Sequence, residues 1–109
     1  MKIRKAIIEQ IDLLAHPSKQ LQYEKDVPIA NVHAELLCLF DSLYHPKSEQ
    51  MLSEFIEDEL KGLAHLYGVL CETVDLEFNT TVELIKHPKW RTVVSVAKKL
   101  NAYYESHNT

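Results

Sequence analysis

Six histidines, two cysteines and a concentration of carboxylates are the residues through which this chain could do chemistry. The histidines would serve a metal only if two or more shared a helix face. None of His16, His33, His45, His65, His87 and His107 stands three or four residues from another, so no helix presents a histidine pair. A meeting of His16, His45 and His87 at converging helix ends is geometrically open, but nothing in the spacing requires it, and no metal or other cofactor is expected. Cys38 and Cys71 stand alone, without a CxxC pair, each inside an apolar helical stretch. They read as two buried, reduced thiols. Glu57, Asp58 and Glu59 are adjacent, and adjacent residues on a helix point in different directions. They read as a solvated first turn favoured by the helix dipole rather than as a general acid–base pair. Ser42, Ser53 and Ser95 have no marked base nearby, and the chain has neither a Gly-rich phosphate loop nor a nucleophile elbow. Catalysis is not expected.

Charge placement says more. The 109 residues carry a formal net charge of −4, which lowers the expectation of nucleic-acid binding. From Ser48 to Glu77 there are eight acids (Glu49, Glu54, Glu57, Asp58, Glu59, Glu72, Asp75, Glu77) against Lys61 alone. From Lys86 to Lys99 there are five bases and no acid. Charge of one sign, clustered, speeds encounter with an oppositely charged partner and selects among partners. The candidate partner-binding residues are therefore Asp41, Glu54, Glu57, Asp58, Glu72 and Asp75. Tyr44 and Phe78, at element ends, are expected to be exposed aromatic anchors.

The elements that must position these residues are helical. Two glycines leave little material for tight hairpins. Ile3, Ile7, Ile8, Ile11, Leu14 and Ala15 recur at helical spacing, and His16-Pro17 ends that pattern. Residues 17–28 are polar and read as a loop with at most one helical turn. A second helix opens at Val27-Pro28-Ile29 and runs to about Tyr44, with Val32, Leu36, Leu37, Phe40 and Leu43 inward. Met51, Leu52, Phe55 and Ile56 give a short apolar turn capped by Ser48. Leu60, Leu63, Ala64, Tyr67, Leu70, Cys71 and Val74 mark a third long helix. Thr80-Thr81-Val82-Glu83 matches a capping box, and Pro88 starts a last helix with Trp90, Val93, Val94, Ala97, Leu100 and Tyr104 inward. Three His-Pro pairs at unequal intervals act as helix punctuation, not as a repeat. The expected fold is all-α: one domain over residues 1–109, a compact bundle of four main helices and two short ones. No signal peptide or membrane span fits, so the expected location is the cytoplasm, with no membrane partner and a monomer when free.

The stretch from Val27 to Leu70 resembles the small helical immunity proteins of bacterial contact-dependent growth inhibition systems. Glu35-Leu36-Leu37-Cys38-Leu39-Phe40-Asp41-Ser42-Leu43-Tyr44-His45-Pro46 carries the likeness, with the later Phe55 and Glu59-Leu60…Leu63. The resemblance implies a protein that binds a cytoplasm-acting nuclease toxin and blocks its active site; it transfers no individual site residue. Such toxins are often basic because they grip phosphates, and an acidic helical protein can mimic nucleic acid electrostatically. The alternative expectation is a non-catalytic interaction module or a subunit of a larger assembly, which would expose an apolar patch.

Overall fold

A computed structural model describes residues 3–26, 32–77 and 80–107, and among them the chain forms seven helices and no strand. They are α1 (Ile3–Ala15), α2 (Pro17–Asp26), α3 (Val32–Leu43), α4 (Glu49–Glu54), α5 (Glu57–Cys71), α6 (Thr81–Lys86) and α7 (Pro88–His107). The all-α expectation holds. The expected start of the second helix at Val27-Pro28-Ile29 lies outside the described residues.

Punctuation follows the prolines. Pro17 and Pro88 are the first residues of α2 and α7, where a missing N–H costs nothing. The His16 ring nitrogen Nδ1 sits 2.8 Å from the Asp12 carbonyl at the end of α1. Ser48 and Thr80 cap α4 and α6 by accepting from the backbone N–H of Met51 and Glu83.

One element departs from the sequence reading. Residues 17–26 form a helix, not a loop. Pro-Ser-Lys-Gln-Leu-Gln-Tyr-Glu-Lys-Asp has little apolar content, but Gln, Lys, Glu and Leu are good helix formers. Its anchor is polar: Gln20 is fully buried, donating from Nε2 to the carbonyls of Leu13 and Leu14 at 3.2 and 3.0 Å. Gln20 Oε1 accepts from the indole N–H of Trp90 at 2.9 Å. The other end of α2 is tied by Glu24, whose carboxylate accepts from the hydroxyl and backbone N–H of Thr81 at the start of α6.

α1 lies at the centre, packed on α7, α3, α2 and α4. Its Ile7, Ile11, Leu14 and Ala15 are fully buried with Leu36 and Phe40 of α3, Leu63, Leu66 and Leu70 of α5, and Trp90, Val93 and Ala97 of α7. Arg4, at the start of α1, bonds Glu59 at the start of α5 and lies over the ring of Tyr104 near the end of α7. Gly62 of α5 approaches Leu100 of α7 so closely that an added Cβ would stand 2.8 Å from its Cδ2. Hence α1 and α5 run one way and α7 the other. α3 delivers the chain through α4 to the end where Glu54 bonds Arg4, so α3 runs antiparallel to α5.

α5 is rotated from its expected phase. Leu63, Leu66, Val69 and Leu70 are buried, whereas Ala64, Cys71 and Val74 are exposed. This helix carries apolar residues around most of its circumference. The choice of face is made by α7, which takes Gly62 and Val69, and by Arg4, which takes Glu59.

Candidate functional site

The turned face of α5 leaves a groove of about 290 Å³ against α3. Leu37, Cys38 and Asp41 form the α3 wall, and Tyr67 and Cys71 of α5 with Val74 of the turn that follows it form the other. Leu37 and Asp41 of α3, and Tyr67 and Cys71 of α5, are each one helical turn apart and so share a face of their helix. Lining is mainly apolar, and Val74 is 62% exposed. The Tyr67 hydroxyl spans the groove to donate to Asp41 Oδ1 at 2.6 Å. That bond holds the Tyr67 phenol well above its ordinary range, because ionising it would set two anions together; Cys71 adds to the effect.

Behind Tyr67 stand Phe40 and Tyr44. Ring centroids are 5.7 Å apart for Phe40–Tyr44, 6.4 Å for Phe40–Tyr67 and 4.9 Å for Tyr44–Tyr67. These separations fall in the range of favourable aromatic pairs. Tyr44, expected to be an exposed anchor, is half-buried in this cluster, and burial raises its phenol pKa. Its role is to back Tyr67 as much as to meet solvent.

The cysteine expectation is corrected. Cys38 and Cys71 are free but exposed, not buried. Both lie on helix flanks beside the groove because the core takes Leu36 and Phe40 from α3, and Leu66 and Leu70 from α5.

The acids of the Ser48–Glu77 segment do not gather at one place. Glu57 and Asp58 are exposed in the first turn of α5, and Glu57 lies 3.9 Å from Lys61. Glu72 and Asp75 are exposed at or just past the other end of α5. With 1.5 Å per residue, the two groups are separated by about 21 Å along the axis. Glu72 faces α7, sharing a hollow of about 110 Å³ with Val69, Lys89 and Thr92. Glu54 has a structural engagement: its Oε1 accepts from the backbone N–H of Arg4 at 3.0 Å. Only Asp41 of the six candidate acids lines the groove, and Tyr44 stands behind it. Phe78 lies outside the described residues.

Glu59 departs from the solvated reading given to the acidic triplet. It is buried, with both carboxylate oxygens on the Arg4 guanidinium at 2.9 and 2.8 Å and Oε1 also accepting from the Ile56 N–H at 3.0 Å. The Arg4 hydrogen bonds, and after them the Ile56 N–H, hold its carboxyl below the usual carboxylate range against the opposing effect of burial.

Among the described residues no group of three or more His, Cys, Asp or Glu side chains is placed to hold a metal ion. His16 and His45 each sit against a carbonyl in the last turn of the helix they follow, that of Asp12 in α1 and that of Ser42 in α3. Ser42 and Ser53 hydroxyls likewise donate to local helix carbonyls. No described helix is long and apolar enough to cross a membrane.

What the groove can do chemically is bind: an apolar trough takes an aliphatic or aromatic group, and the Asp41 carboxylate at its lip takes a cation. Its stripe residues were visible in the sequence, but Leu37, Cys38, Tyr67, Cys71 and Val74 read as core; the missing signal was which of two apolar faces α5 would turn inward. No family model, no curated protein and no solved structure matches the chain.

Proposed function

We propose that this protein is a non-catalytic binder of a basic protein partner, of the immunity-protein kind, that neutralises a nuclease toxin by covering its cationic cleft. The observation that carries the reading is the α3–α5 groove with Asp41 at its lip, on a molecule of net charge −4. An apolar trough beside a carboxylate suits a Lys or Arg side chain flanked by an apolar residue, the pairing that hot spots favour. Glu57 and Asp58 at one end of α5, and Glu72 and Asp75 at the other, then act as steering charge around the groove rather than as one contact patch. The resemblance of residues 27–70 to immunity proteins of contact-dependent growth inhibition supports the same class.

The reading requires a toxin gene with a basic C-terminal nuclease domain beside this gene, and the test uses that domain. The purified chain should bind it and suppress its cleavage of nucleic acid. E57K with D58K should slow association and flatten its salt dependence, whereas truncating an acid desolvated against an Arg should cost about 2–5 kcal/mol; D41A tests whether Asp41 is that acid. K98E with K99E, on α7, should change little. Failure to inhibit the toxin ends the reading, as does loss of binding on lysine reversal with the acidic variants intact.

A second reading has its own observation. Leu52 of α4 and Ile56, the residue before α5, are 56% and 61% exposed and stand four residues apart across the α4–α5 junction. Exposed apolar side chains of this kind suit a subunit contact in an interaction module. A stable oligomer in size-exclusion chromatography that L52K with I56K dissolves would favour it.

A further inference from the structure

Cys38 and Cys71 are free, exposed and set on opposite walls of the α3–α5 groove. The Tyr67–Asp41 hydrogen bond bridges the same two walls. From that bridge, Cys38 lies three residues toward the start of α3 and Cys71 one helical turn toward the end of α5. In antiparallel helices those two displacements point the same way, so both thiols lie on the same side of the bridge, on facing walls of one trough. The other lining residues are Leu37, Val74, Tyr67 and Asp41, so each cysteine faces only one other thiol across the trough.

The geometry points to a dithiol modification site: a small-molecule disulfide oxidises Cys38 and Cys71 to an intramolecular bridge that closes the groove. One cysteine, as its thiolate, attacks a sulfur of the small disulfide. A protein–small-molecule mixed disulfide forms and the first small thiol leaves as its thiolate. The second cysteine attacks the protein sulfur of that mixed disulfide, making the Cys38–Cys71 bond and releasing the second small thiol. The protein gives up two electrons and two protons, and the small disulfide is reduced to two thiols. A bridge requires the Cα atoms to lie within about 7 Å, so α3 and α5 draw together over the apolar lining. The inference does not depend on any partner of the groove.

The test treats the dilute, fully reduced chain with excess oxidised glutathione, then reads intact mass, non-reducing electrophoresis and peptide maps. The expected product is a monomer about 2 Da lighter, with the Cys38 and Cys71 peptides joined and restored by a dithiol reductant. C38S and C71S should each keep one stable glutathione adduct, because the resolving thiol is gone. Both positions are exposed, and a serine there removes no core contact. Two glutathione adducts persisting together on the wild-type chain would overturn the proposal. So would disulfides that form only between chains.

Discussion

Arg4 and Glu59, 55 residues apart, form a two-pronged ion pair at 2.9 and 2.8 Å that pins the start of α1 to the start of α5. The pair is roofed by aromatic rings: the guanidinium carbon lies 5.1 Å from the Phe55 centroid and 5.3 Å from that of Tyr104. Arg4 also reaches the Glu54 carbonyl at 2.9 Å, so one side chain ties α1, α4, α5 and α7 together. The Glu59 side chain is only 5% exposed, and losing Arg4 would strand its charge. R4A should lower unfolding free energy by about 2–4 kcal/mol in a urea titration. A loss below about 0.5 kcal/mol would mean the pair behaves as an exposed one.

The same pair gives a pH dependence. Glu59 has a folded pKa depressed below its unfolded value. Its contribution is therefore complete above the unfolded value, near pH 4.3, and is lost as pH falls through the folded one. The stability difference between wild type and E59Q should be level near neutrality and shrink as the pH drops below about 4.3. Denaturant curves at several pH values check this, and a difference that stays constant to pH 3 would contradict it.

Gln20 is a polar residue doing a core residue's job. It is fully buried and uses both ends of its amide, donating to Leu13 and Leu14 and accepting from Trp90. Q20A removes the acceptor for the indole N–H and the donors for two carbonyls, at a cost of about 2–3 kcal/mol. Trp90 is the sole tryptophan and is fully buried, so its emission reports this site directly. A red shift in Q20A is expected, and unchanged emission and stability would refute the account.

The two glycines of α5 should respond oppositely to alanine. A Cβ on Gly68 meets nothing within 4 Å, and φ is not positive at either glycine. G68A should stabilise by about 0.5–1 kcal/mol through helix propensity and a less flexible unfolded chain. In G62A the same gain is offset by the 2.8 Å approach to Leu100, whose side-chain end must move. Thermal melts of the two variants should therefore separate, with G68A the higher.

How much of this was legible in the sequence depends on how unambiguous each apolar pattern is. α1 and α7 carry one narrow stripe each, and Ile7, Ile11, Leu14, Trp90, Val93 and Tyr104 are buried as their spacing predicts. α5 offers two overlapping stripes, and periodicity alone cannot rank them. Long-range partners do: Leu100 against Gly62, and Arg4 against Glu59. That ambiguity alone hid the groove, since Tyr67, Cys71 and Val74 belong to the stripe that lost. α2 was missed because its anchor is an amide, and hydrophobic patterning does not register a buried glutamine. The acids were correctly located along the chain, but a helix about 21 Å long divides what sequence adjacency had joined.

The pairing of α1 with α7 joins the two helices most distant along this sequence, with Gln20 and Trp90 linked across 70 residues. During synthesis the apolar stripe of α1 must therefore wait for its principal partner. At ribosomal speeds of about 5–20 residues per second, roughly 5–20 s separate completion of α1 from completion of α7. Throughout that interval Ile7, Ile11 and Leu14 lack the α7 part of the surface that finally covers them, which makes the nascent chain, rather than the finished protein, the form most exposed to misassociation.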